Sequence, residues 1–197
     1  MNVLPWLRAG ARMGLIVALA AYSRFFLAAR MLELGDHGSF MHRVHLVFHE
    51  AGHVLLFWAP PLVTALGGTL GQLLVPLTLA VAFAVRNRDG FAASVCGWWL
   101  GHSLVDAAPY INDARTLRLM LLGGGTGDEI EGHDWNFILG QLDLLKLDVR
   151  LAHGVLLAGR LVMVVALLAA VLFVVRECLS RLRPGSPVGP PTARCAR

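Results

Sequence analysis

The run from Val149 to Val175 constrains the fold class more than any other stretch. It is apolar over most of its length, and without interruption from Leu161 to Val175. A helix needs roughly 20 such residues to cross a hydrocarbon core of about 30 Å, and that core offers backbone amides no partner outside their own helix. Shorter apolar runs lie at 14–29, 41–58, 73–85 and 91–108. With 56% hydrophobic and 15% charged residues, and a mean hydropathy of +0.63, the composition departs from that of soluble domains in the same direction. The expected fold is therefore all-α, a polytopic transmembrane helix bundle of about five spans, with the lipid bilayer as its first partner.

Residues 1–183 suffice for one such domain, and the Pro- and Gly-rich tail at 184–197 is expected to be disordered. The net charge of +4 does not point to nucleic acid, because the basic residues stand at the ends of apolar runs, where they orient spans. The loop Arg86 to Gly90 and the residues Arg176, Arg181 and Arg183 read as cytoplasmic. Residues 114–148 then form a loop on the far side, with the N-terminus outside; Arg8 and Arg12 argue against that last placement. Cys96, Cys178 and Cys195 have no paired spacing, so they suggest neither a disulfide framework nor a cysteine zinc site.

Chemistry concentrates in His49-Glu50-Ala51-Gly52-His53, inside the expected motif helix 41–58. Residues four apart share a helix face, so both imidazoles can grip one Zn²⁺ and leave a position for water, while Glu50 takes a proton from that water. The plainer alternative is a satisfied buried polar cluster. His42, His45, His49 and His53 form a stripe at 3-4-4 spacing. His42 is expected near the interface and His45 hydrogen-bonded to a neighbouring helix. Pro60-Pro61 should stop or redirect the helix, and Gly67 to Gly71 should allow close packing or a re-entrant segment.

The span 91–108 carries a second polar stripe, His102, Asp106, Pro109 and Asp113, which is costly in a membrane unless it faces partners, water or metal. Pro109 should kink or end that helix, leaving 110–113 irregular and Asn112 or Asp113 as N-cap of a helix over 114–122. A flexible acidic loop, 123–132, leads to His133-Asp134-Trp135. There His133 would complete a metal site with Asp134 hydrogen-bonded behind it, or Asp134 would simply cap a helix over 135–145.

On the His-Glu-Ala-Gly-His helix and the Gly-rich step after it, the chain resembles intramembrane zinc metallopeptidases of the site-2-protease type. That resemblance implies His49 and His53 as zinc ligands and Glu50 as general base. The aspartate ligand of that family usually lies in a Leu-Asp-Gly motif; the nearest form here, Leu142-Asp143-Leu144, lacks the glycine. The chain also resembles small bacterial membrane proteins that share the same helix, a Pro-Tyr-Ile-x-Asp-Ala-Arg segment (Pro109 to Arg115) and a His-Asp-Trp segment (His133 to Trp135). This second likeness implies a bacterial inner membrane. For the third ligand the order of expectation is Asp113, His133, Asp106, His102 and Asp143. The resulting expectation is a zinc-dependent peptidase acting on a membrane protein or peptide. The alternatives are a metal transporter or sensor, which would tolerate loss of Glu50, and a structural subunit, which would be indifferent to chelators.

Overall fold

Leu157, Leu161, Val165, Leu168 and Leu172 stand exposed along one side of helix α7 (Asp148–Leu182), while Ala152, Leu156, Gly159, Met163, Ala166, Ala170 and Val174 are buried along the other. Both faces are apolar, as in a helix that packs on protein inwardly and meets hydrocarbon outwardly. The computed structural model describes residues 4–35 and 37–182. The other helices are α1 (Leu4–Ala28), α2 (Met31–Gly35), α3 (Phe40–Leu55), α4 (Pro61–Val81), α5 (Gly90–Asn112) and α6 (Asp134–Gln141). A π-helical turn, Ala82–Arg86, extends α4, and a 3₁₀ turn, Leu145–Leu147, precedes α7. Among the described residues there is no strand, only an isolated bridge between Met120 and Thr126.

Among the described residues, three helices are long and apolar enough to cross a membrane: Trp6–Ala28, Pro61–Arg86 and Leu145–Leu182. The expected count of about five is not confirmed: α3 and α5 fall outside this long, apolar class, for two different reasons. At 1.5 Å per residue the 16 residues of α3 reach about 24 Å, short of the hydrocarbon core, and four histidines and Glu50 interrupt them. Helix α5 has 23 residues but carries the polar stripe. It is the centre of the bundle, with His102, Val105 and Ala108 fully buried. Helices α5 and α7 cross where only glycine fits: a Cβ on Gly101 would lie 2.8 Å from the Gly159 carbonyl oxygen, and one on Gly159 2.7 Å from that of Gly101.

Pro60-Pro61 turns the chain as expected, since Pro60 caps α4 and Pro61 opens it. The Gly-rich step packs closely as helix rather than re-entering. A Cβ on Gly52 would collide with the Gly67 carbonyl, and one on Gly71 with that of Phe48, so α3 and α4 touch backbone to backbone.

Pro109 does not end α5. Its carbonyl still accepts from Asp113 N at 3.0 Å, and the helix runs on to Asn112. The helix expected over 114–122 is absent, because the chain folds around Asp113 instead. Leu117 takes φ +54°, and the amides of Arg118 and Leu119 turn inward to the Asp113 carboxylate at 2.9 Å each. Helix α6 also ends at Gln141, short of the expected 145.

Charge pairs close the opposite end. Arg12 donates to Glu177 at 2.7 Å and to Asp89 at 3.4 Å, joining the early turns of α1, the N-cap of α5 and the last turns of α7. The N-terminal part of α1 therefore lies beside the 86–90 loop, so the two share one side rather than lying on opposite sides as expected. Arg160 of α7 donates to the Phe26 carbonyl at 3.0 Å and to that of Ala29, satisfying the end of α1 from within the bundle. The tail 184–197, with Cys195, lies outside the described residues.

Candidate metal centre

Ser39 starts the motif helix, its Oγ accepting from His42 N at 3.0 Å. From there α3 brings His49 and His53 onto one face, their rings 4.9 Å apart between centroids. The other side of each ring is committed. His49 Nδ1 lies 3.3 Å from Gln72 Oε1, and the Gln72 amide is oriented by its own donation to the Ser103 carbonyl at 3.2 Å. His53 Nδ1 lies 2.8 Å from the Thr64 carbonyl. Both neighbours are acceptors, so both Nδ1 atoms carry the proton and both Nε2 atoms are left with a lone pair in the neutral ring.

Those lone pairs converge on a single carboxylate oxygen. Asp134 Oδ2 lies 3.0 Å from His49 Nε2 and 3.2 Å from His53 Nε2. Two ring nitrogens and a carboxylate oxygen at such separations repel one another unless positive charge lies among them. Three donors bound tetrahedrally at zinc-like lengths would stand about 3.3 Å apart, close to what is seen. The three donor atoms all lie within 4.8 Å of one another, so His49, His53 and Asp134 can hold a metal ion. Gly68 keeps the space open, since a Cβ there would fall onto the Nε2 atoms of both histidines.

Asp134 is placed by the first turn of α6. Its backbone N–H donates to Tyr110 Oη at 2.9 Å, Trp135 Nε1 donates to Thr69 Oγ1 at 3.2 Å, and Asn136 Nδ2 donates to the Ala114 carbonyl at 2.7 Å. These bonds fasten α6 to α4 and to the end of α5. The carboxylate ligand thus arrives from a short helix far along the chain and is held there by three neighbours.

The expected third ligands sit elsewhere. Asp113 is 4% exposed, and its oxygens accept from the amides of Arg118 and Leu119 and from Thr116 Oγ1. It organises the loop instead of facing His49. His133 is the N-cap of α6: its Nδ1 accepts from Asn136 N at 3.1 Å, which leaves Nε2 to face Asp113 Oδ2 at 3.4 Å. Burial pushes its imidazole down, against the pull of Asp113. Asp134, expected as a cap or as a partner behind His133, is the carboxylate that joins His49 and His53 in the group able to hold a metal ion. The cue in the sequence was its place one residue after a histidine able to do the capping. Asp106 and His102 belong to a separate cluster with His42 and His45. Asp143, at φ +54°, lies in the turn after α6 and is not among the three donors.

A cavity of about 720 Å³ opens over the centre. His49, His53, Asp134, Glu50 and Tyr110 line one side, and Leu34, Leu46, Leu119, Met120 and Leu121 supply apolar wall. Glu50 is exposed, so its carboxylate is free to meet a molecule beside the donors. No family model, no curated protein and no solved structure matches the chain.

Proposed function

We propose that the protein is a membrane-embedded zinc-dependent hydrolase that cleaves peptide bonds of membrane-associated substrates. The observation that carries this reading is the pair of bare Nε2 atoms facing one Asp134 oxygen, with an exposed glutamate beside the first of them in sequence. Two imidazoles and a carboxylate form the open three-ligand set of catalytic zinc sites. Zn²⁺ bound there supplies Lewis acidity to a water and to a carbonyl oxygen.

The chain's own groups do the rest. Gln72 and the Thr64 carbonyl hold the ring tautomers, Tyr110 holds Asp134 through its amide, and the Glu50 carboxylate takes a proton from water and returns it to the leaving amine. The substrate must present an unwound segment, because a helical carbonyl is already hydrogen-bonded. The apolar wall of the cavity suits such a segment when its side chains are hydrophobic. In the bilayer, α1, α4, α5 and α7 cross, with both ends of the domain on the side of Arg12 and Glu177. Helix α3 enters only part way and carries its histidines at the depth of the cavity.

Metal analysis and a cleavage assay on detergent-purified protein test the reading. His49→Ala/His53→Ala should lower the zinc content by about one ion per chain. Glu50→Gln should keep the zinc and lower cleavage of an unstructured apolar reporter peptide by roughly 10²- to 10⁴-fold. Zinc content indifferent to the double substitution would overturn the proposal. A second reading, metal transport, is favoured by one observation: His42 and Asp106 line the same cavity as the metal centre. It predicts that Glu50→Gln leaves function intact.

A further inference from the structure

The hydroxyl of Tyr110 is well used as an acceptor and poorly used as a donor. Its oxygen accepts from Asp134 N at 2.9 Å, a bond of ordinary length. Its own proton has the Gly132 carbonyl at 3.4 Å and Asp134 Oδ2 at 3.5 Å to choose from. An O–H···O bond ordinarily spans about 2.7–2.8 Å, so both acceptors are distant. The ring itself is fixed. It lies against His133 at 4.3 Å between centroids, and 6.2 Å from the His49 ring. It also lines the same cavity as Glu50. A phenol is protonated at neutral pH, so a positioned donor stands at the edge of the metal centre with its proton weakly held.

One of the two distant acceptors, Asp134 Oδ2, is the oxygen that both imidazoles face. A cation held there draws on the same lone pairs and makes Oδ2 a poorer acceptor for Tyr110. An oxygen that a ligand brings beside the three donors from the cavity is then the better acceptor, above all when it carries negative charge.

We propose that Tyr110 is the hydrogen-bond donor to the oxygen of a ligand seated at the His49–His53–Asp134 centre, and that the ligand class it favours is one that carries or develops an oxyanion. The inference rests on the zinc-hydrolase reading of that centre. As the oxygen of water bonds to the carbonyl carbon of a peptide, the π electron pair moves onto the carbonyl oxygen. Tyr110 donates a hydrogen bond to that oxygen and keeps its proton. When the pair returns, the C–N bond breaks and the amine leaves with the proton that Glu50 took from the water. Tyr110 and Glu50 therefore serve different atoms of the same reaction.

The test compares two probes, a hydroxamate and a thiol with the same phenylethyl tail, titrated against the full zinc-loaded chain in detergent. Both groups bind zinc, but the hydroxamate presents oxygens, whereas sulfur is a weak acceptor. With zinc saturating, Tyr110→Phe should weaken the hydroxamate by about tenfold or more and the thiol by less than about twofold. Cleavage of the reporter peptide should lose roughly 10²- to 10³-fold in kcat with KM nearly unchanged. A residue that only places Asp134 would, on substitution, weaken both probes alike; that result overturns the donor role, as does a hydroxamate affinity indifferent to Tyr110→Phe. Should the variant fail to fold, a structure of wild type with the hydroxamate decides. Tyr110 Oη within about 3 Å of a hydroxamate oxygen supports the donor role, and Oη left on the Gly132 carbonyl overturns it. Selective loss of the hydroxamate in Tyr110→Phe, from a wild type that cleaves no peptide, supports the donor and overturns the hydrolase. Glu50-dependent cleavage with a hydroxamate indifferent to Tyr110→Phe does the reverse, and a wild type that binds neither probe overturns both.

Discussion

Asp113 and Asp134 both sit at the junction of α5 and α6, both are shielded from solvent, and each has a histidine within 3.4 Å. What separates them is who else uses their oxygens. Asp113 accepts from two backbone amides and a hydroxyl, all within six residues of itself in sequence. Its lone pairs are spent on folding a loop. Asp134 opens a helix, where its own amide is held by Tyr110, and its Oδ2 faces two imidazoles from α3. A carboxylate surrounded by local N–H groups is part of the scaffold, whereas one facing two imidazole nitrogens is able to join them in holding a cation.

The sharpest way to break this comparison is to remove each carboxylate. Asp134→Ala should abolish zinc binding at the His49 centre and eliminate the part of the EDTA-induced drop in Tm that the centre contributes; Asp113→Asn should keep both. Equal zinc loss in the two variants would erase the distinction. The next largest effect is steric. Gly68→Val would place methyls on the two Nε2 atoms, and zinc affinity measured by chelator competition should fall on the order of 100-fold. Gln72→Leu removes the acceptor that fixes the His49 tautomer, and should weaken zinc by about tenfold while leaving helix content unchanged by circular dichroism. Smallest is Asp113→Asn on stability, a loss of about 1–3 kcal/mol by denaturant unfolding with the metal in place, read from its buried amide contacts.

The parts of this site that were legible in the sequence are those that depend on spacing within one helix. His49 and His53 are four apart, and a helix allows them only one face. The glycines from 67 to 71 announced close approach, and the structure shows the backbones of Gly67 and Gly71 against those of Gly52 and Phe48. Asp134 was harder to read because an aspartate before Trp135 makes an ordinary N-cap. His133 filled that role with a ring nitrogen, which freed the carboxylate. Asp113 misled for the opposite reason: it ends a polar stripe on α5, but what consumes its oxygens are amides of residues 118 and 119, whose path depends on a left-handed Leu117. The count of about five spans is left unconfirmed on the same ground. Apolar runs at 41–58 and 91–108 looked alike, yet α3 is too short to cross a bilayer and α5 is polar where it meets α3.

The bonds that close α1 have a consequence for the order of synthesis. Arg12 and Glu177 are 165 residues apart, and Arg160 reaches the carbonyls of Phe26 and Ala29 from 134 and 131 residues away. A chain emerging from the ribosome has therefore made its first helix long before the residues that seat it exist. Until α7 follows, Arg12 lacks its Glu177 partner and the carbonyls of Phe26 and Ala29 lack Arg160. Truncation before Asp148 should leave α1 held only by its contacts with α5, such as Trp98 to Ser23, and more open to protease, with the last helix acting as the latch that completes assembly.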